Sequence, residues 1–295
     1  MTVTDLKKML TAGRHAHLIG IGGVSMFPLA ELLKVRGLVI TGSDAHKSPN
    51  VEHLLEQGFH VTIGHFAENV QGADLVIRTA AVHDDNPEIQ AARAAGIPVF
   101  ERAQAWGAIM MDYRNAICIS GTHGKTTTTS MCTYIAMAAH SDPTIMIGGN
   151  LPLLGAGYRV GHGDTIILES CEYCNSFLSF RPTIAVILDI EEDHLDFFKD
   201  LNDIRSSFQK FAQLLPADGA LVINGSIPDL DSFTKDLPCR ICTFGMDSSF
   251  DYGAVNIAYD KKGSASFDFV KEGIFVDRVS LSVNGEHNVQ NALAA

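Results

Sequence analysis

The sequence has no apolar run approaching the roughly 20 residues that a membrane-spanning helix needs. Its start also lacks the apolar core and cleavage site of a signal peptide. Basic residues are scarce, because 22 lysines and arginines stand against 34 aspartates and glutamates, for a formal net charge of −12. This balance argues against non-specific binding to nucleic acid or to an anionic membrane surface. We therefore expect a cytoplasmic protein, in which a local site for a phosphorylated ligand still fits.

Cysteine is sparse, and we expect the six cysteines of a cytoplasmic chain to be reduced. Cys171 and Cys174 form one C-x₂-C pair, and Cys239 and Cys242 form another. The two pairs lie too far apart in the sequence for a zinc ribbon, so neither structural zinc nor a redox pair is expected. Cys118 and Cys132 are predicted to be buried core residues.

Charged residues are also few, at 19% of the 295 residues, whereas 46% are hydrophobic. This composition excludes a disordered chain and allows a sizeable core. The length suits two domains, and the sequence pattern supports that division. Strands alternate with helices up to about residue 112, and the alternation restarts near residue 113. The pattern predicts an α/β protein with parallel sheets.

The predicted elements of the first part are five strands and three helices. The strands are His15–Gly20, Val39–Ser43, His60–Gly64, Ala73–Thr79 and Ile97–Glu101. The helices are Ser25–Arg36, Asn50–Gln57 and Pro87–Ala95. Each helix is predicted from apolar residues at helical spacing or from a glycine where the helix stops.

The second part adds buried strands, two long helices and a late change of period. The predicted strands are Ala116–Ser120, Thr144–Gly148, Thr165–Leu168, Ile184–Ile190 and Ala220–Asn224. The predicted helices are Lys125–Ala139 and Asp200–Leu215, with another beginning at Glu286. Alternating residues in Ser264–Val270 and Ile274–Val283 predict extra antiparallel strands.

Residues 121–127, GTHGKTT, follow a predicted strand and open a predicted helix, and we call them the phosphate loop. Backbone N–H groups of such a turn, together with the helix N-terminus, bind phosphate. Lys125 is predicted to contact the β- and γ-phosphates of a nucleotide, and the Thr126 hydroxyl to bind Mg²⁺. The loop is a shortened variant, because Ile119 stands where the common pattern has glycine.

Residues 20–25, GIGGVS, form a second glycine-rich segment between a strand and a helix, and we call it the glycine-rich turn. With Asp44 about 20 residues on, it resembles a dinucleotide fingerprint in which Ser25 replaces the third glycine. It indicates diphosphate binding at a helix N-terminus. A tight turn without a ligand is the alternative, and an NAD-dependent oxidoreductase would rest on this segment alone.

Carboxylates and a histidine follow two further strands, at the edge where parallel strands deliver their ligand-binding residues. Glu169 and Glu172 follow Thr165–Leu168, and His194 follows Ile184–Ile190. Glu172 and His194 could hold a Mg²⁺ that bridges a phosphate to its acceptor. The alternative is that they are surface charges at loop starts. The sequence leaves the roles of Glu169, Glu191, Glu192 and Asp196 open, and for most of them it favours a solvated or outer role.

Eight motifs, in order along nearly the whole chain, resemble the Mur ligases of peptidoglycan synthesis. They are GIGGVSM (20–26), SDAHKSPN (43–50), AAVHDDNPE (80–88), ERAQ (101–104), GTHGKTTTT (121–129), ESCEYCNSFL (169–178), DHLDFF (193–198) and GEHNVQNALAA (285–295). The ordered set is far more specific than any single motif. The motif variants are most similar to those of the member that joins L-alanine to UDP-N-acetylmuramate.

The resemblance implies an ATP-dependent acid–amino-acid ligase that works through an acyl phosphate, with ATP and Mg²⁺ as cofactors. UDP-N-acetylmuramate and L-alanine would be its substrates. It implies catalytic roles for His123, Lys125, Glu172 and His194, and Mg²⁺ binding by Thr126, Glu172 and His194. It implies ATP contacts by Gly121, Thr122, Gly124, Lys125, Thr126, Thr127, His287, Asn288 and Asn291, the last three at adenine. It implies UDP-sugar contacts by Gly22, Gly23, Val24, Ser25, Asp44 and Arg102.

The resemblance also implies a domain organisation. Residues 1–112 would be a Rossmann-like domain for UDP-N-acetylmuramate, and residues 113–295 a P-loop-type ATPase domain with a mainly parallel sheet. Family members continue into a third domain that recruits the amino acid, whereas this sequence ends at Ala295. We therefore expect the chain to bind nucleotides without completing the ligation. A nucleotide-binding module without ligase activity and a recycling ligase for a preformed peptide remain alternatives.

Overall fold

A computed structural model of the protein describes residues 2–295. The chain divides into two compact units, of which the first ends at Asp112 and the second is Tyr113–Ala295. Within the described residues, no helix combines the length and the apolar character needed to cross a membrane.

The first unit alternates strands and helices. Its elements are α1 (Val3–Met9), β1 (His15–Ile19), α2 (Met26–Val35), β2 (Val39–Asp44), α3 (Pro49–Glu56), β3 (His60–Ile63), β4 (Leu75–Arg78), α4 (Pro87–Ala94), β5 (Val99–Glu101) and α5 (Arg102–Met110), with a 3₁₀ turn at Ala67–Val70. The strands form one parallel sheet in the order β3-β2-β1-β4-β5. Because every strand runs the same way, the glycine-rich turn after β1 lies at the same sheet edge as the end of β2.

The second unit is built on a larger sheet. Its elements are β6 (Asn115–Ser120), α6 (Lys125–Ala138), β7 (Thr144–Leu151), β8 (Ala156–Arg159), β9 (Thr165–Glu169), β10 (Ile184–Ile187), α7 (Leu201–Ala212), β11 (Ala220–Asn224), α8 (Leu230–Thr234), β12 (Arg240–Gly245), β13 (Tyr252–Tyr259), β14 (Ser264–Lys271), β15 (Ile274–Asn284) and α9 (His287–Ala294), with a 3₁₀ segment at Tyr173–Ser179.

The ten strands of this sheet have the order β15-β14-β13-β12-β11-β10-β6-β9-β7-β8. Strands β7, β9, β6, β10, β11, β12 and β13 pair in parallel with their neighbours. At one edge β8 pairs antiparallel with β7, and at the other end β14 pairs antiparallel with both β13 and the edge strand β15. Strand β6 lies between β9 and β10, so the phosphate loop shares a sheet edge with the segments after both neighbours.

The predicted fold class is confirmed: the protein is α/β with mainly parallel sheets and antiparallel strands late in the second unit. Helix α5 was not predicted, because all but two of its residues are buried and it shows no polar face that would reveal helical periodicity. Helix α1 was also missed, although Thr2 and Asp5 form a capping box at its start.

Three predicted bounds need correction. The strand expected over Ile184–Ile190 ends at Ile187, because Leu188 already turns toward the phosphate loop and donates its N–H to Ser120 O. The helix expected over Asp200–Leu215 is Leu201–Ala212, since Asp200 is its cap and its side chain accepts from Asp203 N. The strand expected over Thr144–Gly148 continues to Leu151, where it pairs with the unpredicted β8.

Candidate active site

The phosphate loop joins β6 to α6 through two glycines in left-handed conformations. Gly121 has φ +144° and Gly124, the residue before α6, has φ +79°. A Cβ atom at Gly124 would also collide with the Asn291 carboxamide. Only glycine fits this position without strain, so the loop geometry depends on the residue type that the motif supplies.

Lys125, the first residue of α6, folds its side chain back over the loop. Its ammonium donates to Gly121 O at 2.5 Å and to Thr122 O at 3.1 Å. It also lies 3.2 Å and 3.1 Å from the two carboxylate oxygens of Glu172. The charge of Lys125 is thus held at the mouth of the loop, where a phosphate would arrive.

Glu172 is the point at which the predicted residues meet. Its side chain is 2% exposed, and its Oε1 lies 3.7 Å from His194 Nε2. Lys125 and His194 therefore contact the same carboxylate from two different segments of the chain. Carboxylate oxygens are ligands that suit a hard divalent cation.

His194 is held in an unusual conformation. Its φ of +51° is in the left-handed region, which costs energy for a residue other than glycine. The ring of Tyr173 packs against its imidazole with centroids 4.6 Å apart. The Tyr173 hydroxyl donates to Asp196 Oδ2 at 2.8 Å, and this bond raises the pKa of Tyr173 to about 12. Tyr173 thus connects the segment after β9 to the segment that carries His194.

Thr126 does not contact Glu172 through a hydrogen bond in the described structure. Its hydroxyl donates to both oxygens of Glu169 at 3.0 Å, and Gly148 N donates to Glu169 Oε2 at 2.8 Å. The hydroxyl predicted to bind Mg²⁺ is therefore paired with a carboxylate whose role the sequence left open. Glu169 is half-buried, and it contacts the proposed Mg²⁺ ligand Thr126 from the end of β9.

Asp189 is a site residue that sequence reasoning missed. Its Oδ1 accepts the backbone N–H of His123 at 2.9 Å. Burial raises the pKa of Asp189, against the lowering effect of this hydrogen bond. The available signal was its place after a strand adjacent to β6, but the apolar run through Ile190 placed it inside the predicted strand.

His123 lies on the open side of the loop. Its side chain is 67% exposed, and Nε2 lies 3.7 Å from Oε2 of the exposed Glu191. The structure therefore places His123 with Glu191 at the rim, while Glu172 lies in the interior.

Helix α9 brings the predicted adenine residues behind the phosphate loop. Asn291 is buried, accepts from Thr128 Oγ1 at 3.2 Å and donates to Asn288 Oδ1 at 3.0 Å. Asn288 in turn donates to Asn284 O at 2.7 Å. A cavity of about 100 Å³ lies between this helix and the loop, lined by His123, Gly124, Leu188, Asp189, Phe244, His287, Gln290 and Asn291. Both amide atoms of Asn288 make hydrogen bonds within the protein, whereas His287 and Asn291 line the cavity.

The glycine-rich turn of the first unit gathers most of its predicted residues. Gly22 N donates to Asp44 Oδ2 at 2.9 Å, and the Arg102 guanidinium donates to the Ser25 hydroxyl. Val24 is 70% exposed at the crest of the turn. Trp106, the only tryptophan, was not predicted here, although its Nε1 donates to Ser25 O at 3.3 Å.

The buried carboxylate of Glu88 is the centre of a hydrogen-bond network near the glycine-rich turn. Glu88 accepts from the side chains of His17, Ser43, His65 and Asn69 at 2.6–3.2 Å. Burial acts to raise the pKa of Glu88, but the four hydrogen bonds outweigh it and the pKa is lowered. The network fixes Ser43, the neighbour of Asp44, at the end of β2.

Two family models match the chain. The model described as "Mur ligase middle domain" matches residues 119–295, and the one described as "Mur ligase family, catalytic domain" matches residues 15–114. Together they cover the glycine-rich turn, the phosphate loop and the Glu172–His194 pair.

Similar proteins carry related names. A UDP-N-acetylmuramate–L-alanine ligase of Lachnoclostridium phytofermentans is 49% identical over 292 residues, 95% of this chain and 62% of that protein. A UDP-N-acetylmuramate-alanine ligase of Thermotoga maritima has a solved structure with TM-score 0.78 and 29% identity, covering 95% of this chain and 63% of that one.

A third relative differs in the substrate that it is named for. The UDP-N-acetylmuramate:L-alanyl-gamma-D-glutamyl-meso-diaminopimelate ligase of Neisseria meningitides has TM-score 0.84 and 27% identity, covering 96% of this chain and 92% of that one. This chain spans about 62% of the length of its curated relatives. The matched models, the sequence identities and the shared fold lead to one conclusion: the chain belongs to the Mur ligase family.

Proposed function

We propose that this chain carries the UDP-N-acetylmuramate and ATP sites of an ATP-dependent ligase that joins the lactoyl carboxylate of UDP-N-acetylmuramate to L-alanine. The observation that carries the proposal is the meeting of Lys125, Glu172 and His194 at the mouth of the phosphate loop. A cation, a buried carboxylate and an imidazole at a helix N-terminus suit a nucleotide triphosphate with its metal. The sequence prediction of a cytoplasmic location is compatible with this supply of ATP.

The second unit is the proposed ATP site. Backbone N–H groups of residues 121–127 would cradle the phosphates, and Lys125 would leave Glu172 to neutralise the β- and γ-oxygens. Thr126, Glu172 and His194 would hold Mg²⁺, which supplies positive charge to the phosphates when it is bound. His287 and Asn291 would contact adenine from the cavity behind the loop.

The first unit is the proposed UDP-sugar site. Its glycine-rich turn ends at the N-terminus of α2, where the helix dipole favours a diphosphate. Arg102 already reaches Ser25 and brings a cation to this turn. Asp44 and the Glu88 network hold the turn in shape before a ligand arrives.

The reaction then follows from the ligands in these two sites. An oxygen of the lactoyl carboxylate attacks the γ-phosphorus of ATP. The bond from that phosphorus to ADP breaks, ADP leaves, and an acyl phosphate is formed. The amine of L-alanine attacks the acyl carbon, phosphate leaves and an amide forms. During these steps Lys125 would neutralise the charge that develops on the transferred phosphate. Glu172 and His194 would position the lactoyl carboxylate through the Mg²⁺ that they hold, since a cation is needed between two carboxylates.

L-Alanine is proposed because the relatives named for it are about half identical to this chain. The second candidate acceptor is the tripeptide that appears in the name of the relative from Neisseria meningitides. The TM-score of 0.84 with that structure favours this acceptor. A ligation assay of this chain with UDP-N-acetylmuramate, ATP and Mg²⁺ tests labelled L-alanine and labelled tripeptide in parallel. Neither should give product, because the chain is expected to bind nucleotides without completing the ligation. A product with the tripeptide alone would replace the first candidate by the second.

Binding is tested independently of turnover. Isothermal titration of the chain with ATP·Mg²⁺, with UDP-N-acetylmuramate and with NAD should show heat for the first two. Lys125→Ala should lose the response to ATP·Mg²⁺ and keep the response to UDP-N-acetylmuramate. Binding of NAD without binding of ATP would overturn the proposal and favour an oxidoreductase.

A further inference from the structure

One side chain beside the Glu172–His194 pair has no part in the proposed reaction. Ligand atoms of Cys171, Glu172 and His194 all lie within 4.8 Å of one another, and among the described residues these three form the group of metal-ligating side chains that meets this criterion. Cys171 is exposed, whereas Glu172 is buried. The group therefore joins a sulfur donor that solvent can reach to an oxygen and a nitrogen donor inside the site.

This donor set differs in kind from a magnesium site. Mg²⁺ prefers oxygen ligands and does not select a thiol. A thiolate, an imidazole nitrogen and a carboxylate oxygen are the three ligand types of Zn²⁺, which commonly takes three protein ligands and a water molecule. Cd²⁺, a softer ion of the same charge, favours the sulfur more strongly.

We propose that Cys171, Glu172 and His194 form a binding site for a thiophilic divalent cation, Zn²⁺ or Cd²⁺, that overlaps the proposed Mg²⁺ site but recruits the Cys171 sulfur. The cation replaces the thiol proton of Cys171, which passes to solvent, and no electron is transferred.

The geometry requires only small movements. His194 Nε2 and Glu172 Oε1 are 3.7 Å apart. Two ligands with bonds of about 2.0–2.2 Å in a tetrahedral zinc site lie roughly 3.3–3.6 Å from each other. The Cys171 sulfur already lies within 4.8 Å of both other ligand atoms, and its side chain is exposed.

The neighbouring groups set the strength and the orientation of the site. The Lys125 ammonium, 3.1 Å from Glu172, repels an incoming cation and must swing away. Tyr173 packs on the His194 ring and restrains it, and Asp193 Oδ2 lies 3.8 Å from His194 Nε2 and adds negative charge. Removing the positive charge with Lys125→Met should therefore tighten the binding of Zn²⁺, whereas the same variant weakens the binding of ATP·Mg²⁺.

The test uses the metal-free full chain titrated with Cd²⁺ and with Zn²⁺. Ultraviolet thiolate-to-cadmium charge transfer reports the sulfur ligand directly, and competition with a chromophoric chelator gives the Zn²⁺ affinity. Cys171→Ser should abolish the cadmium band and weaken Zn²⁺ binding about tenfold or more, at least the effect typical of losing a supporting contact to a metal ligand. His194→Gln should weaken Zn²⁺ binding while the cadmium band persists.

Cys174→Ser is the matched control, because Cys174 is exposed and lies in the same C-x₂-C segment. It should leave both the cadmium band and the Zn²⁺ affinity unchanged. A Cys171→Ser chain with the wild-type band and affinity would overturn the proposal. Equal losses in both serine variants would also overturn it, because they would show a dithiolate site in place of the Cys–Glu–His site.

Competition between Zn²⁺ and ATP·Mg²⁺ at Glu172 rests on the proposed function, whereas the binding of Zn²⁺ alone does not. Titration of Cys171→Ser with ATP·Mg²⁺ separates the two. Its affinity for ATP·Mg²⁺ should equal that of the wild type. A wild-type chain that binds ATP·Mg²⁺ and fails to bind Zn²⁺ would refute only the thiophilic site and leave the proposed function standing.

Discussion

The glycine-rich turn of the first unit and the phosphate loop of the second are built alike. Each follows a buried parallel strand and opens a helix at the carboxyl edge of its sheet. In each, a carboxylate that ends or follows a neighbouring strand accepts a backbone N–H of the turn at 2.9 Å, Asp44 from Gly22 and Asp189 from His123. In both turns a backbone amide thus finds a side-chain oxygen acceptor even before a ligand binds.

The two turns differ in where their cation comes from. Lys125 is part of the phosphate loop itself and is paired with the buried Glu172. The equivalent helix start in the first unit is Met26, and the cation there is Arg102, from the start of α5. The comparison indicates that the second site is arranged for phosphate with a metal and the first for a diphosphate held by arginine.

Removal of either cation should give the largest effects on ligand affinity. Lys125→Ala removes a charge-assisted contact worth about 1.5–3 kcal/mol, which is roughly a ten- to hundredfold loss of ATP·Mg²⁺ affinity. Arg102→Ala should cause a similar loss for UDP-N-acetylmuramate and leave ATP·Mg²⁺ binding intact. Calorimetry of both variants with both ligands measures the four affinities. Loss of both ligands in either variant would break the comparison.

Gly124→Ala should destabilise the second unit by about 1–3 kcal/mol, because alanine is strained at φ +79° and its Cβ meets Asn291. Gly22→Ala is the matched change in the first unit. There the backbone is not left-handed, although the new Cβ would lie 2.6 Å from Val51 Cγ2 and 2.8 Å from Ser48 Oγ, so both side chains must shift. The matched pair therefore differs mainly in backbone conformation. Thermal unfolding with hydrogen exchange locates each loss. A larger loss for Gly22→Ala would show that the backbone conformation of the phosphate loop is not the controlling feature.

Two carboxylates, the half-buried Asp189 and the buried Glu88, should change the free energy of unfolding in opposite directions when they are neutralised. Burial raises the pKa of Asp189 above its unfolded value, so its charge costs stability once the pH rises through the folded pKa. Asp189→Asn should therefore raise the free energy of unfolding at neutral pH, with a difference from wild type that shrinks in acid.

Glu88 provides the opposite case. Its hydrogen bonds lower its pKa from an ordinary 4.5, so it contributes stability above that pH and loses it as the pH falls through the folded pKa. Glu88→Gln should be less stable than wild type at neutral pH. Urea unfolding between acid and neutral pH measures the free energy of unfolding of both variants. A change of the same sign in both at neutral pH would contradict the opposite effects expected for Asp189 and Glu88.

Tyr173→Phe should have the smallest effect and lower the free energy of unfolding by about 0.5 kcal/mol, because it removes one exposed hydrogen bond to Asp196. It keeps the aromatic ring on His194, so the affinity for ATP·Mg²⁺ should stay unchanged. Tyr173→Ala removes the ring as well and should lower the affinity for ATP·Mg²⁺ by releasing His194. Equal affinities in the two variants would show that the aromatic contact does not position His194.

The sequence predicted the phosphate loop and its partners because parallel strands deliver their following residues to one edge. Glu172 and His194 follow β9 and β10, on either side of β6, and the structure places Glu172 in contact with both Lys125 and His194. The fold class followed from the same alternation of strands and helices.

Three features of the fold and the site could not be predicted, because they depend on three-dimensional geometry that the pattern of apolar and polar residues does not specify. The apolar run 184–190 hides the point where the chain leaves the sheet, so Asp189 was placed inside a strand. Thr126 selects Glu169 over Glu172 through the local geometry of two carboxylates three residues apart. Helix α5 is buried on nearly all sides and has no periodicity to detect.

Hydrogen–deuterium exchange of the chain with each nucleotide tests the central assignment most directly. ATP·Mg²⁺ should protect the backbone amides of the phosphate loop and the start of α6, and UDP-N-acetylmuramate should protect the glycine-rich turn and the start of α2. Protection of the glycine-rich turn by ATP·Mg²⁺, with the phosphate loop unchanged, would contradict the account.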